Sequence, residues 1–302
     1  MITTNNRKLP KFVEDFNTHF MWKKEYTVDK YSVTELLKAP REYWLTRRHY
    51  SELKEDLTDV WAALIGTMLH AAVEQMVEGE HVAYPLGTEV EKKVQTKLPY
   101  GITVSGKIDL SSKTSLTDWK FGAASSLFGF PHPEWEEQLN VYRLLYYMET
   151  QILVDNLFVN AAAPDWRPNE WNKTDFPAKQ FVIPVWDIPE AKEFLTERVQ
   201  KFALNEDFSD NSLDYCTTFA DVGEKNECWE KPPVFAVHRN KNKTASKLFK
   251  IMEETEMYIK DRADFTYDTF KIVCRPGVRT KCDRFCRASH LCNQYEEWKN
   301  GE

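Results

Sequence analysis

Polar and apolar positions change period several times along this chain, and each change predicts an element. The run YSVTELLKAPREYWLTRR, residues 31–48, has helical spacing, with Ser32 as N-cap and Glu35 completing a capping box. Pro40 inside it predicts either a kink or two short helices. LTDVWAALIGTMLHAAVEQMV predicts a second helix over 57–77. Three strands are expected at 87–97, 102–110 and 116–121, then a helix opened by Pro133 in PEWEEQLNVYRLLYYMET. DNLFVNAAA and KQFVIPV read as two more strands. Helices are expected over 188–204 and 244–262, with a loop-rich segment at 206–233 between them. This order of elements predicts a mixed α/β (α+β) class with a central mixed sheet flanked by helices. The expected organisation is a single domain over 1–302, with a core at 31–185. A helical extension at 186–302 would carry a cysteine-rich segment at 274–292.

Composition adds limits. An apolar content of 42% with 14% aromatics supplies a sizeable core and argues against global disorder. No apolar run reaches the roughly 18 residues of a membrane-spanning helix, so no membrane partner is expected. The start, MITTNNRKLPKF, lacks the apolar stretch of a signal peptide, and a cytoplasmic location is expected. A net charge of −7 argues against a protein that coats nucleic acid, but net charge is silent about one cleft. Two runs are locally basic. Residues 238–252 carry Arg239, Lys241, Lys243, Lys247 and Lys250 with no acid, and 271–292 carry six bases against Asp283 alone. Each run is either a solvated face or a rim that contacts phosphates. Of six cysteines, Cys274, Cys282, Cys286 and Cys292 cluster near the end, which in a reducing compartment favours a metal or cluster over disulfides.

The candidate chemistry centres on GKIDLSSKTSLTDWKFG, residues 106–122. With its turn at 112–115, Leu110 pairs with Thr117 and Asp109 lies opposite Asp118. Asp118 and Lys120 share one face, Trp119 and Phe121 the other. Like charges directly opposite are destabilising. Either Lys120 neutralises the acids on an exposed face, or a divalent cation sits between them, Mg²⁺ or Mn²⁺ suiting hard oxygen ligands. His70 shares a helix face with Gly66 and Glu74. A helical Gly costs about 1 kcal/mol relative to Ala, so Gly66 is expected to mark a close approach. Glu89 and Glu91 share a strand face and offer a further acid, and Gln138 and Tyr142 share a helix face.

The order GxxxH (Gly66–His70), GxhD (to Asp109), DxK (Asp118 and Lys120) and QxxxY (Gln138 and Tyr142) resembles the PD-(D/E)xK nuclease superfamily. It is most similar to the RecB-type branch, which includes the CRISPR-adaptation nuclease and phage or bacterial recombination exonucleases. The resemblance implies a restriction-endonuclease-like core and a Mg²⁺- or Mn²⁺-dependent deoxyribonuclease, more an exonuclease than an endonuclease, processing DNA ends in recombination or repair. A silent nuclease-fold module that binds DNA or a partner is the alternative. Carried over, His70, Asp109, Asp118 and the Trp119 carbonyl hold the metal, Lys120 serves the water, and Gln138 and Tyr142 position DNA or the metal's surroundings. Partners implied are linear DNA, its ends or single strands, with a helicase or single-strand annealing protein. The setting implied is a bacterial or phage-infected cytosol. Arg239, Lys241 and Lys243 are candidate DNA contacts. In the resembling branch an N-terminal cysteine joins three C-terminal ones around an iron–sulfur cluster. This chain has no cysteine in LLKAPREYW, and three residues rather than two separate Cys282 from Cys286. Cys274, Cys282, Cys286 and Cys292 are then expected to form a local site for a 4Fe–4S cluster, the alternatives being zinc, with His290 as a substitute ligand, or reduced, unligated thiols.

Overall fold

The computed structural model describes residues 1–20, 25–27, 29–79, 87–128, 132–168, 176–239, 242–261 and 269–301. In chain order the elements begin with β1 (Ile2–Thr4), α1 (Lys11–Phe20), β2 (Lys30–Ser32), α2 (Val33–Leu36), α3 (Pro40–Arg48), β3 (Lys54–Asp56) and α4 (Trp61–Glu78). Next come β4 (Glu89–Lys97), β5 (Thr103–Ser111), β6 (Ser115–Phe121), α5 (Ala124–Phe128), α6 (Pro133–Thr150), β7 (Asn156–Ala162), β8 (Ala178–Ile183) and α7 (Ile188–Leu204). The last are β9 (Glu230–Lys231), β10 (Val234–Arg239), β11 (Lys247–Phe249), α8 (Met252–Lys260), β12 (Phe270–Arg275), β13 (Val278–Arg279), α9 (Thr280–Arg284) and α10 (Asn293–Asn300). Among the described residues no helix is long and apolar enough to cross a membrane.

The capping box forms. The Ser32 hydroxyl accepts from the Glu35 N–H, and the Ser32 N–H donates to Glu35 Oε2 at 2.8 Å. Pro40 produces two short helices rather than a kink, because a proline fits the first turn of α3 but not the interior of α2.

The chain divides into two compact units, Met1–Lys38 with His49–Asp207, and Ala39–Arg48 with Phe208–Glu302. The expected boundary fell at 185/186. Helix α7 belongs with the first unit, where Arg198 Nε donates to the Leu36 carbonyl at 2.7 Å. Helix α3 belongs with the second, because Arg41, 1% exposed, donates there to the carbonyls of Leu213 and Asp210 and to Asn293 Oδ1. A buried guanidinium is tolerated only with its donors satisfied in this way.

The first unit is built on a six-stranded mixed sheet in the order β2–β5–β6–β7–β8, with β4 also paired to β5. Its hydrophobic core is supplied by Ile108, Leu116 and Leu157 from the strands and by Leu139 and Leu145 from α6, all fully buried. Each such side chain stabilises the fold by roughly 1.5–3 kcal/mol relative to exposure. Polar residues on α6 are held as firmly: Arg143 Nε donates to the Val154 carbonyl at 2.6 Å, and Asn140 Oδ1 accepts from the Trp186 N–H at 2.8 Å. Mixed α/β is therefore the fold class, as the order of elements predicted.

The second unit carries a three-stranded antiparallel sheet, β11–β10–β12, where a helical extension was expected. The expected 244–262 helix begins only at Met252, and Arg262 lies outside the described residues. Lys247–Phe249 is drawn into a strand instead by antiparallel pairing with Phe235, Ala236 and Val237.

Candidate active site

Strand β5 forks the sheet. Strand β4 pairs along one of its edges, while on the other edge β2 takes Thr103, Val104 and Ser105 and β6 takes only Leu110 and Ser111. Among the described residues, 106–109 have no ladder partner on that second edge, and a cavity of about 960 Å³ opens there. His70, Asp109, Asp118, Lys120, Gln138 and Tyr142 all line it.

The predicted register holds, since Leu110 pairs with Thr117. The ladder ends one step before Asp109 and Asp118. Instead of a backbone pair, Asp109 Oδ2 accepts from the Trp119 N–H at 2.7 Å. A carboxylate thus replaces the carbonyl of a ladder bond, which holds the acid in the sheet and satisfies the freed donor. On the partner strand Asp118 is buried, with Oδ1 accepting from Gln138 Nε2 at 3.2 Å. Lys120 Nζ lies 2.6 Å from Asp118 Oδ2 and donates to Gln138 Oε1 at 3.0 Å. Gln138 Nε2 also donates to the Tyr142 hydroxyl at 3.2 Å. One amide therefore fixes the acid, the lysine and the phenol together.

Glycine at position 106 has a steric cause. A Cβ there would stand 2.5 Å from Tyr142 Cε1, so the tyrosine ring rests directly on the backbone of β5. Gly66 is different: a Cβ there meets nothing within 4 Å, so the expected close approach is absent among the described residues. His70 does reach the site, with Nδ1 3.5 Å from Asp109 Oδ2 and the ring hydrogen-bonded to the Trp119 backbone. Its ring meets Phe121 edge-on at 5.3 Å. Burial holds the His70 pKa below its ordinary value, which favours the neutral ring. Glu89 and Glu91 are turned to other tasks, ion-pairing with Lys92 and Lys107 respectively.

Among the described residues no three or more His, Cys, Asp or Glu side chains are set at metal-ligating geometry. The donor set nevertheless fits Mg²⁺ or Mn²⁺, which bind through one or two carboxylates and keep several waters. Burial, and then the charge of Asp118, push the Asp109 carboxyl up to about 7. Asp118 Oδ2 is buried without a directed hydrogen bond, Lys120 meeting it as an ion pair only. A cation held there would relieve both features.

Because the folded-state value is raised, the native chain holds the Asp109 proton through the window from about 4 to about 7, and stability falls as pH rises through it. A divalent ion must displace that proton. Thermal melts should therefore show a larger Mg²⁺- or Mn²⁺-induced stabilisation near pH 8 than near pH 5. Equal shifts at both would contradict metal binding at Asp109.

Sequence reasoning missed Lys30, Lys93 and Lys107, which line the same cavity. Their signal was present only as alternation on β2, β4 and β5. The expected DNA contacts Arg239 and Lys243 lie in the second unit and do not line this cavity, and Lys241 lies outside the described residues. Among the described residues the expected four cysteines are not drawn to metal-ligating geometry. Cys274 is exposed on β12 opposite Phe235, and Cys292 Sγ accepts from Arg41 Nε at 3.3 Å. The Cys228 thiol, buried, donates instead to the Cys216 carbonyl at 3.9 Å.

The fold and cavity define a mixed α/β protein with one buried acid, one half-buried acid and a lysine at the fork of its sheet. Its fold is similar to that of SSO0001, at 17% identity and a TM-score of 0.44, covering 63% of this chain and 85% of that one. It is also similar to an alkaline exonuclease (LHK-Exo) from Laribacter hongkongensis, at 14% identity and a TM-score of 0.37, covering 63% and 93%. No family model and no curated protein matches the chain.

Proposed function

We propose that this protein is a divalent-metal-dependent deoxyribonuclease, acting as an exonuclease on DNA ends. The observation that carries the reading is the meeting of Asp109, Asp118, Lys120, Gln138, Tyr142 and His70 in one cavity, although 72 residues of sequence separate the first from the last. Asp109 and Asp118 would hold Mg²⁺ or Mn²⁺, with the Trp119 backbone and His70 beside them. Bound there, the cation supplies Lewis-acid polarisation of the phosphodiester and lowers the pKa of a water. Lys120, anchored by Asp118 and Gln138, orients that water or takes its proton and offsets charge developing on phosphorus. Gln138 and Tyr142 are positioning residues: they hold Asp118 and Lys120 in line from the buried face of α6. Lys30 and Lys93 give the cavity a positive lining suited to a phosphate backbone, Lys107 being paired with Glu91.

A panel of linear, gapped, single-stranded and covalently closed DNA tests the reading with Mg²⁺ or Mn²⁺ present. Degradation from ends that spares the closed circle is expected, and rapid cutting of the circle would overturn the exonuclease assignment. Lys120→Ala should slow hydrolysis about 10²–10⁴-fold. The metal-induced rise in melting temperature should remain, because the carboxylates are intact. Unchanged hydrolysis in this variant would remove Lys120 from the chemistry.

A further inference from the structure

In the second unit, the turn that leads into β9 presents a tryptophan at the surface at a cost in backbone strain. Trp229 has φ +50°, in the left-handed region that a bulky side chain rarely adopts. The turn is fixed from both sides. Asn226 Oδ1 accepts from the Glu230 N–H and Asn226 Nδ2 donates to the Glu230 carbonyl, both at 2.9 Å. The Glu230 carboxylate in turn accepts from Arg279 Nε at 2.7 Å. So held, Trp229 stays 47% exposed. Phe285, directly after α9 and 59% exposed, meets it with ring centroids 5.3 Å apart and planes at 58°. Two large aromatics kept at the surface by a rigid, strained turn point to a binding role rather than to packing. The charge around them is positive. Lys231, set opposite Val278 by the β9–β13 ladder, and Arg284, the residue before Phe285, are both exposed. The neighbouring acids are turned to internal partners: Glu230 to Arg279, Asp283 to the Tyr295 hydroxyl and Glu42 to Lys281.

We propose that Trp229 and Phe285 form a stacking platform for an unpaired base of single-stranded DNA, with Lys231 and Arg284 meeting the phosphates beside it. The cations match the negative charge of each nucleotide, and the aromatic pair matches its base. Every base has a π-face once it is unstacked, so such a platform takes a strand without reading its sequence. The two rings touch, so the base packs on the outer face of Trp229 rather than between them. A duplex keeps its bases stacked on one another and offers only its phosphates here. The rigid turn means that little order is lost on binding, because the platform is already set. The choice of DNA over RNA rests on the nuclease reading, since a strand held by the second unit is a single-stranded form of that substrate.

The test is fluorescence anisotropy of labelled oligodeoxythymidine titrated with the full chain, in a chelator so that hydrolysis does not compete. Trp229→Ala should weaken binding about 5- to 150-fold, the range for losing one stacked base, while Trp229→Phe keeps most of it. A blunt duplex of the same length should bind the parent and Trp229→Ala within about twofold of each other. Changing Lys231 and Arg284 together to Gln should lower the slope of log affinity against log salt by about 1.4, the share of two phosphates. Phe285→Ala leaves the strained turn alone and should weaken single-strand binding in the same direction, which covers a disturbed turn in Trp229→Ala. Absent single-strand binding by the parent, unchanged binding in both aromatic variants, an equal loss on duplex, or tighter Trp229-dependent binding of oligouridine would each overturn the proposal. Because the readout is binding without metal, a protein that holds the strand through Trp229 but never cleaves would refute the nuclease reading and keep this one.

Discussion

Replacing Asp118 by Asn is expected to cut DNA hydrolysis about a thousandfold, equivalent to about 4 kcal/mol of lost transition-state stabilisation. Folding should barely change. The substitution removes the 2.6 Å ion pair with Lys120, but it also removes the charge that helps to push Asp109 up. These two effects oppose one another, and a net change within about 1 kcal/mol should move the melting temperature by only about 2–4 °C. The same variant should lose most of the metal-induced stabilisation seen in the parent, since one of two hard ligands has lost its charge. Activity and metal response collapsing together, with the fold intact, separate a metal-holding acid from a structural one. An acid that merely neutralises Lys120 would give no such pairing of losses.

The second large effect is expected at Gly106. Changing it to Ala drives a methyl to 2.5 Å from Tyr142 Cε1 and 2.9 Å from Cδ1. The ring is 4% exposed and tied to Gln138, so it has little room to yield. Such overpacking costs about 1–3 kcal/mol, visible as several degrees in the melting temperature. Tyr142 displaced by even half an ångström pulls on Gln138, and through it on Asp118 and Lys120. Misplacement on the ångström scale costs about a hundredfold in rate, and a loss of that order is expected here. In a Tyr142→Ala background the Gly106→Ala step should become nearly neutral for stability, because the clashing partner is gone. Additive losses would mean that Gly106 is required for something other than the ring.

Much of this site was legible in the residues because its parts are local. Ser32 and Glu35 declare a capped helix start at a spacing of three. Asp109, Asp118 and Lys120 declare themselves by being charged in strands otherwise built for burial. The hairpin register followed from a short turn with one workable pairing, Leu110 with Thr117. What the pattern could not supply was long-range pairing. Lys247–Phe249 is too short to show a period of two and becomes a strand only because β10 lies beside it. Lys93 looks like any exposed strand lysine until β5 forks and opens a cavity beside it. Cys228 and Cys282 are 54 residues apart, and no spacing rule announces the β9–β13 ladder that brings their neighbours together. Gly66 erred in the other direction, as a residue given meaning by its type whose surroundings are open.

The most direct test is release of nucleotides from end-labelled linear duplex DNA by the unmutated protein and by Asp118→Asn, with Mg²⁺ or Mn²⁺ and with a chelator. Metal-dependent release by the parent is expected, abolished by the chelator and reduced about a thousandfold in Asp118→Asn. Release that persists without metal, that is untouched in Asp118→Asn, or that never occurs with either cation would contradict the assignment of this cavity as a nuclease site.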